Sequence, residues 1–221
     1  MKPKEDFGGD YVLAMDSLPV SRFRWLVPKL GVSQSDELVD YACGSGRLLD
    51  CIHDRIRHYH GVDFSPDFIK YAAERARRLG ITNASFECSE IVDFCSRNPG
   101  RFDLATTVDF SPYLDDDSFV RIYSAIRGSL KPGGRLVLYT ANGRYLLELL
   151  KKWGLAPKPR GAYRRVHTSD DHQRLLRAAG FGRVDISYTG HFNVLRLLHP
   201  LSRAPLVGKY FQAKILVLAA N

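Results

Sequence analysis

Cysteine is scarce in this 221-residue chain: Cys43, Cys51, Cys88 and Cys95 are the only four, and no two form a CxxC pair. Such spacing fits neither a structural zinc site nor a disulfide frame, and thiols scattered through apolar runs read as buried free cysteines. No metal is expected. Long apolar runs are missing too, since no stretch approaches the roughly eighteen residues of a membrane span. The opening MKPKEDFGGD begins basic but lacks the apolar segment of a secretory signal. Internal repeats and low-complexity tracts are absent as well. These absences point to a cytoplasmic protein.

What is present is ordinary for a globular domain, with 45% hydrophobic and 25% charged residues. The length suits one domain with small elaborations. The net charge of +8 needs an explanation, and its densest source is KKWGLAPKPRGAYRRVH (151–167), which contains no acid. A solvated linker, a surface for an anionic or phosphorylated partner, and a nucleic-acid contact are the three readings. The run has no interleaved series of aromatics of the kind that stacks on single strands.

Hydrophobic patterning becomes regular after residue 36. Strands are expected at 37–43, 59–64, 84–89, 102–110, 135–141, 183–190 and 213–220. Helices are expected at 46–56, 65–80, about 90–97, 115–130, 143–153 and 169–180. An earlier short helix over 21–31 is interrupted by Pro28. Helix 65–80 is the clearest, with Ser65 as cap, Pro66 at the first helical position, and a core stripe of Phe68, Ala72, Ala76 and Leu79. KPGG (131–134) stops the helix before the next strand. Strands alternating with helices argue a mostly parallel α/β sheet covered on both faces. The 22 residues between the last two strands (191–212) are long for a hairpin connection and read as a lid, a pocket lining or a dimer contact.

The segment LVDYACGSGRLL (38–49) has the form of a strand passing through a tight turn into a helix. Ligands of open α/β sheets bind beyond the carboxyl ends of the strands, where this turn would lie. Gly46 is followed by Arg47-Leu48 rather than Lys-Ser/Thr, which removes a P-loop. Leu49 occupies the third glycine position of a dinucleotide fingerprint, which argues against NAD. Asp63, which ends the second strand, stands where a carboxylate for ribose hydroxyls belongs. A nucleoside with free hydroxyls fits this pattern better than a pyrophosphate does.

LVDYACGSGRLL, GVDFSPDFI, FDLATTVDF and SLKPGGRLVL follow one another in the order and intervals of a known family. The chain resembles class I S-adenosylmethionine-dependent methyltransferases, and is similar to the small-molecule enzymes of the quinone-biosynthesis type. The resemblance covers about residues 37–190 and the terminal strand. It implies a Rossmann-like α/β fold, with a seven-stranded, mostly parallel sheet, an antiparallel last strand and helices on both faces. Residues 1–36 would form a helical or irregular cap, and 37–221 the methyltransferase domain with the insert at 191–212. The cofactor implied is S-adenosyl-L-methionine.

The resemblance also implies site residues. Asp40, Ala42, Gly44 and Gly46 would surround the methionine part, with Cys43 beside them as a small buried group and not a nucleophile. Asp63 would take the ribose hydroxyls, Phe64 would lie beside the adenine, and ECSE (87–90) would cover its edge. Val108, Asp109 and Phe110 would face the sulfonium and the acceptor. Two departures stand out. Ala42 occupies a position where the family often has glycine, a change that a modest rearrangement would accommodate. Ser89, flanked by Glu87 and Glu90, replaces the usual aspartate at the adenine amino group.

Methyl transfer needs the acceptor in line with the donor, and a base where the acceptor must lose a proton. Asp109 and His191 are the candidate bases, and Tyr113 and His167 the candidate substrate contacts. The bland alternatives are a turn cap for Asp109 and simple packing for Tyr113; His53, His58 and His60 read as structural or exposed. The chain has no D/N-P-P-Y/F motif for amino-nitrogen chemistry. The acceptor expected is therefore a small or carrier-linked metabolite, acidic or partly apolar, methylated on oxygen, nitrogen or activated carbon. The rivals are an RNA methyltransferase and a non-enzymatic cofactor-sensing or interaction module. The protein is expected to be a monomer or a homodimer.

Overall fold

The computed structural model describes residues 21–157, 165–189, 201–202 and 204–220. Seven strands form its sheet: β1 Glu37–Tyr41, β2 His58–Asp63, β3 Ala84–Cys88, β4 Phe102–Val108, β5 Leu130–Ala141, β6 Arg183–Thr189 and β7 Lys214–Ala220. Their order is β3-β2-β1-β4-β5-β7-β6. The first five are parallel, with Asp40 beside Gly61 and Leu38 beside Leu104. Strand β7 runs antiparallel between β5 and β6, and sets Lys214 opposite both Ala141 and Thr189.

The helices are α1 Ser21–Arg24, α2 Val27–Leu30, α3 Leu49–Ile52, α4 Pro66–Arg78, α5 Ile91–Arg97, α6 Asp116–Ser129, α7 Leu146–Lys152 and α8 Ser169–Ala178. One face of the sheet packs against α5, α6 and α8 through Phe94, Phe119, Tyr123 and Leu175. The opposite face packs against α1–α4 through Phe23, Leu30, Leu49, Ile52 and Ala76, with Leu26 between the first two helices. Covering both faces explains why the central strands are apolar almost throughout. Each large side chain buried there contributes about 1.5–3 kcal/mol. Among the described residues no helix is long and apolar enough to cross a membrane.

Helix α4 begins as its sequence dictates, with Oγ of Ser65 accepting the Phe68 N–H at 3.4 Å and Pro66 in the first turn. Phe68, Ala72 and Ala76 face the core, whereas Leu79 lies at the exposed end.

The helix expected over 21–31 is interrupted, into α1 and α2, with Pro28 in the first turn of α2, where its missing N–H is tolerated. Three other local expectations change. The helix expected over 46–56 shrinks to α3 and a 3₁₀ turn at His53–Arg55. Gly46 is left-handed at φ 73°, which no helix accommodates, and the chain first makes a tight turn with the Gly46 N–H on the Cys43 carbonyl at 3.1 Å. KPGG does not separate helix from strand, because Leu130 already pairs with Phe102 before a register shift and the next pair, Leu104–Arg135. Helix α7 starts at Leu146, after a turn built on Asn142.

Candidate active site

The turn after β1 is set by its backbone. Gly44 and Gly46 have φ 54° and 73°, and a Cβ on Gly46 would sit 3.1 Å from that of Ala72 on α4. Ala42 takes the same left-handed region at φ 56°. In place of the modest rearrangement that the sequence suggested, the alanine has adopted a glycine's conformation, at a cost of about 1–2 kcal/mol. Arg75 braces the turn from α4, its Nε donating to the Ser45 carbonyl at 3.1 Å and its Nη1 to Asp50 at 2.8 Å. Burial pushes the Cys43 thiol well up, and Asp63 and Asp40 push it further, which disfavours the thiolate.

Two buried carboxylates flank this turn. Asp40 accepts the Thr106 hydroxyl on Oδ1 and the Tyr59 hydroxyl on Oδ2, each at 2.7 Å. Burial raises it to about 6, against the pull of both hydroxyls and with a further push from Asp63. Asp63 accepts the Gly44 N–H on Oδ2 and the Ser65 N–H on Oδ1, both at 3.0 Å. Burial raises this carboxyl too, and the backbone donors of Ser65, Gly44 and Phe64 oppose the rise. Neither carboxylate is paired with a lysine or arginine among the described residues. Each oxygen has a second lone pair for another donor. Two such acids beside an open glycine turn suit a ligand that brings positive charge and hydroxyl groups.

Beyond Asp63, Phe64 is half-buried, and the Ser89 N–H donates to the Asp63 carbonyl at 3.0 Å. Arg97 on α5 donates to Oε1 of Glu87 at 2.6 Å and to Oγ of Ser89 at 3.0 Å. The Ser89 hydroxyl in turn donates to the Glu90 carbonyl at 3.2 Å.

The edge continues past β1 to β4. Val108 is half-buried, and Asp109 follows it at φ 53°, its N–H on the Tyr139 carbonyl at 2.7 Å. Its Oδ1 is ion-paired with Nζ of Lys214, which is 8% exposed and lies 5.4 Å from the centre of the Tyr139 ring. Adjacent strands are about 4.8 Å apart, so Asp109 stands two strands, or about 10 Å, along the edge from Asp63.

Tyr113 is half-buried in the 3₁₀ turn Ser111–Tyr113 between β4 and α6. The His167 side chain is fully buried, with Nε2 3.3 Å from Oδ1 of Asp116 and its ring 5.4 Å from that of Phe119. Burial lowers its pKa, as does Arg165, against Asp116. His172 is buried beside it; Nδ1 carries the proton, because it faces the Thr168 carbonyl at 2.8 Å, and Nε2 lies 3.2 Å from the Ser111 hydroxyl. His191 lies outside the described residues, as does half of the insert. Asn142 anchors the end of that insert, donating to the Lys209 and Gln212 carbonyls at 2.7 Å.

A surface cleft between α2, Ser33–Gln34 and Asp54–Arg55 lies at the amino-terminal edge, away from these groups. Sequence reading did not single out Tyr59, Thr106, Arg75, Asn142 or Lys214. A signal existed for two of them: Arg75 sits beside the core stripe of α4, and Lys214 is the one charge in the apolar run AKILVLAA.

Comparison with known proteins bears on the same segments. Residues 38–134 match a family model described as a methyltransferase domain. The ubiquinone biosynthesis O-methyltransferase of Xylella fastidiosa strain 9a5c is 27% identical over 156 residues, or 68% of this chain and 62% of that protein. That of Aeromonas salmonicida is 25% identical over 190 residues, 82% of this chain and 77% of the relative. Among solved structures, a SAM-dependent methyltransferase from Archaeoglobus fulgidus superposes with TM-score 0.65 at 16% identity, covering 91% of this chain and 92% of that one. Geranyl diphosphate C-methyltransferase from Streptomyces coelicolor also gives 0.65, at 19% identity, covering 95% of this chain and 82% of that one. At such identities the structures share the fold, which is the one described above. The chain therefore has the fold and sheet order of the solved methyltransferases on which it superposes, and its glycine turn lies in the segment that matches a methyltransferase domain.

Proposed function

We propose that the chain transfers the methyl of S-adenosylmethionine to a hydroxyl oxygen of a small, partly apolar acceptor. The observation that carries this reading is the pair of buried carboxylates, Asp40 and Asp63, around a left-handed glycine turn with no cation matched to either among the described residues. Asp63 suits the ribose hydroxyls, with Phe64 and Ser89 at the adenine end. The turn from Asp40 to Gly46 suits the amino-acid end, and Val108 the sulfonium. The choice of oxygen is supported by the relatives named as O-methyltransferases.

The bound cofactor supplies an activated methyl, so the chain has only to orient and deprotonate the acceptor. Asp109 follows β4 at the cofactor edge and takes the acceptor's hydroxyl proton on its carboxylate. Tyr113 lines the acceptor side. The rival reading, an RNA substrate, leans on the basic run at 151–167. Two of its cations are already matched to acids: Lys151 to Glu148 at 2.6 Å, and Arg165 to Asp116 at 2.8 Å.

Incubation with methyl-labelled S-adenosylmethionine and a panel of phenols, catechols, enols, amines and RNA tests the reading. Label on the hydroxyl oxygen is expected. Label confined to amines or RNA, or none at all, overturns it.

A further inference from the structure

Among the described residues Lys214 is the most deeply buried cation at the carboxyl edge of the sheet, and the methyl-transfer chemistry above gives it no task. It opens β7 on the face where Tyr139 and Val108 also pack, and its side chain is more than nine-tenths buried. An ammonium has three donors. One meets Oδ1 of Asp109, and the ring of Tyr139 covers a second direction. No other acceptor reaches it among the described residues. Burying a lysine with its donors incompletely matched costs several kcal/mol unless an anion stays close.

Asp109 is held as firmly as its partner. Its left-handed backbone is a strained state for a residue with a side chain, and the Tyr139 carbonyl fixes its N–H at 2.7 Å. The carboxylate is the more open member of the pair, with 28% of its side chain exposed against 8% for Lys214. A ligand arriving from the cofactor edge therefore meets a carboxylate backed by an ammonium.

Resting on the proposed hydroxyl acceptor, we infer that Lys214 is the oxyanion-binding residue of this site and selects acceptors with an ionisable, phenol-like or enol-like hydroxyl. The acceptor's O–H bond breaks and its proton passes to Asp109. The electron pair stays on the oxygen, which replaces the carboxylate as the anion facing Lys214. That pair then forms the new bond to the methyl carbon, the carbon–sulfur bond breaks with its electrons going to sulfur, and Asp109 returns its proton to water. The ammonium faces one negative charge before and after the proton moves, which is why a lysine is tolerated in so buried a place. An amine acceptor would set a neutral or positive nitrogen against it.

The test uses 4-nitrophenol as an absorbing probe, added to the full chain saturated with S-adenosylhomocysteine at a pH where the free probe is mostly protonated. The wild-type chain is expected to raise the phenolate absorbance. Lys214→Met should weaken phenolate binding by about tenfold or more, the value of a hydrogen bond to a charged group. Lys214→Arg should retain the signal. Asp109→Asn should move it the other way, because the ammonium loses its resident anion, and it should strengthen phenolate binding while slowing methyl transfer. Affinity for S-adenosylhomocysteine, measured in parallel, shows that each variant is folded. If Lys214→Met fails to fold, Asp109→Asn alone decides the matter. The inference is overturned if Lys214→Met keeps the signal, if Asp109→Asn does not strengthen it, or if no protein produces it. The hydroxyl reading is judged separately, by the labelled-methyl panel with the wild-type chain.

Discussion

Oδ2 of Asp63 accepts the Gly44 N–H at 3.0 Å, so one carboxylate joins the end of β2 to the turn that follows β1. The other oxygen holds the start of α4 through the Ser65 N–H. Asp63→Asn keeps the shape but sets an amide NH₂ against one of these two N–H groups. It should lower affinity for S-adenosylhomocysteine by roughly tenfold or more, and stability by about 1–3 kcal/mol, the cost of leaving a buried donor unmatched. Calorimetry and chemical denaturation read the two effects; unchanged values in both would separate Asp63 from the turn's function.

Ala42 offers a gain instead of a loss. With φ at 56° it carries a strain that glycine does not. Ala42→Gly is expected to stabilise the chain by about 1 kcal/mol, raising the melting temperature by about 2–4 °C. Ala42→Val should do the reverse. A lower melting temperature for the glycine variant would mean that the alanine methyl makes a packing contact worth more than the strain.

Asp40 makes stability depend on pH. Its carboxyl is raised to about 6 in the folded chain from an ordinary 3.8, chiefly by burial. Between those values the folded chain holds a proton that the unfolded chain has lost. The group therefore favours folding most at low pH, and its contribution falls as the pH climbs through 6. Relative to Asp40→Asn, which does not titrate, the wild-type chain should lose on the order of 2 kcal/mol of stability between pH 4 and pH 7. Parallel urea titrations at the two pH values give the difference, and a constant gap between the proteins would count against a titrating Asp40.

The glycine turn, Asp63 and the alternation of strands and helices were legible because they are local. Each is written within a few residues, in caps, glycines and apolar runs. The groups that hold them were not. Thr106 reaches Asp40 across 66 residues, Arg75 reaches Ser45 across 30, and Lys214 reaches Asp109 across 105. Such contacts depend on strand order, which pairing decides and no single segment states. His167 shows the converse: it lies between Arg165 and Thr168 in a basic stretch, yet it is buried where residues 165–168 meet the chain just past β5.

That loop contact rests on Gly143, whose N–H donates to the His167 carbonyl at 3.0 Å. A Cβ there would lie 2.5 Å from the Val166 carbonyl and 2.7 Å from that of His167. Gly143→Ala must push the 165–168 segment away, with an expected cost of about 1–3 kcal/mol. Hydrogen exchange should rise at Thr168–His172 while the amides of β1 stay protected. Exchange that is uniform across both regions would show that the loop is not held by this contact.

The most direct measurement is calorimetric titration of the wild-type chain and Asp63→Ala with S-adenosylhomocysteine. Saturable one-site binding to the wild-type chain is expected, weakened by roughly tenfold or more in the variant. Absence of binding to the wild-type chain, or equal affinity in the two proteins, would contradict a methyl-donor site built on this turn and its buried carboxylate.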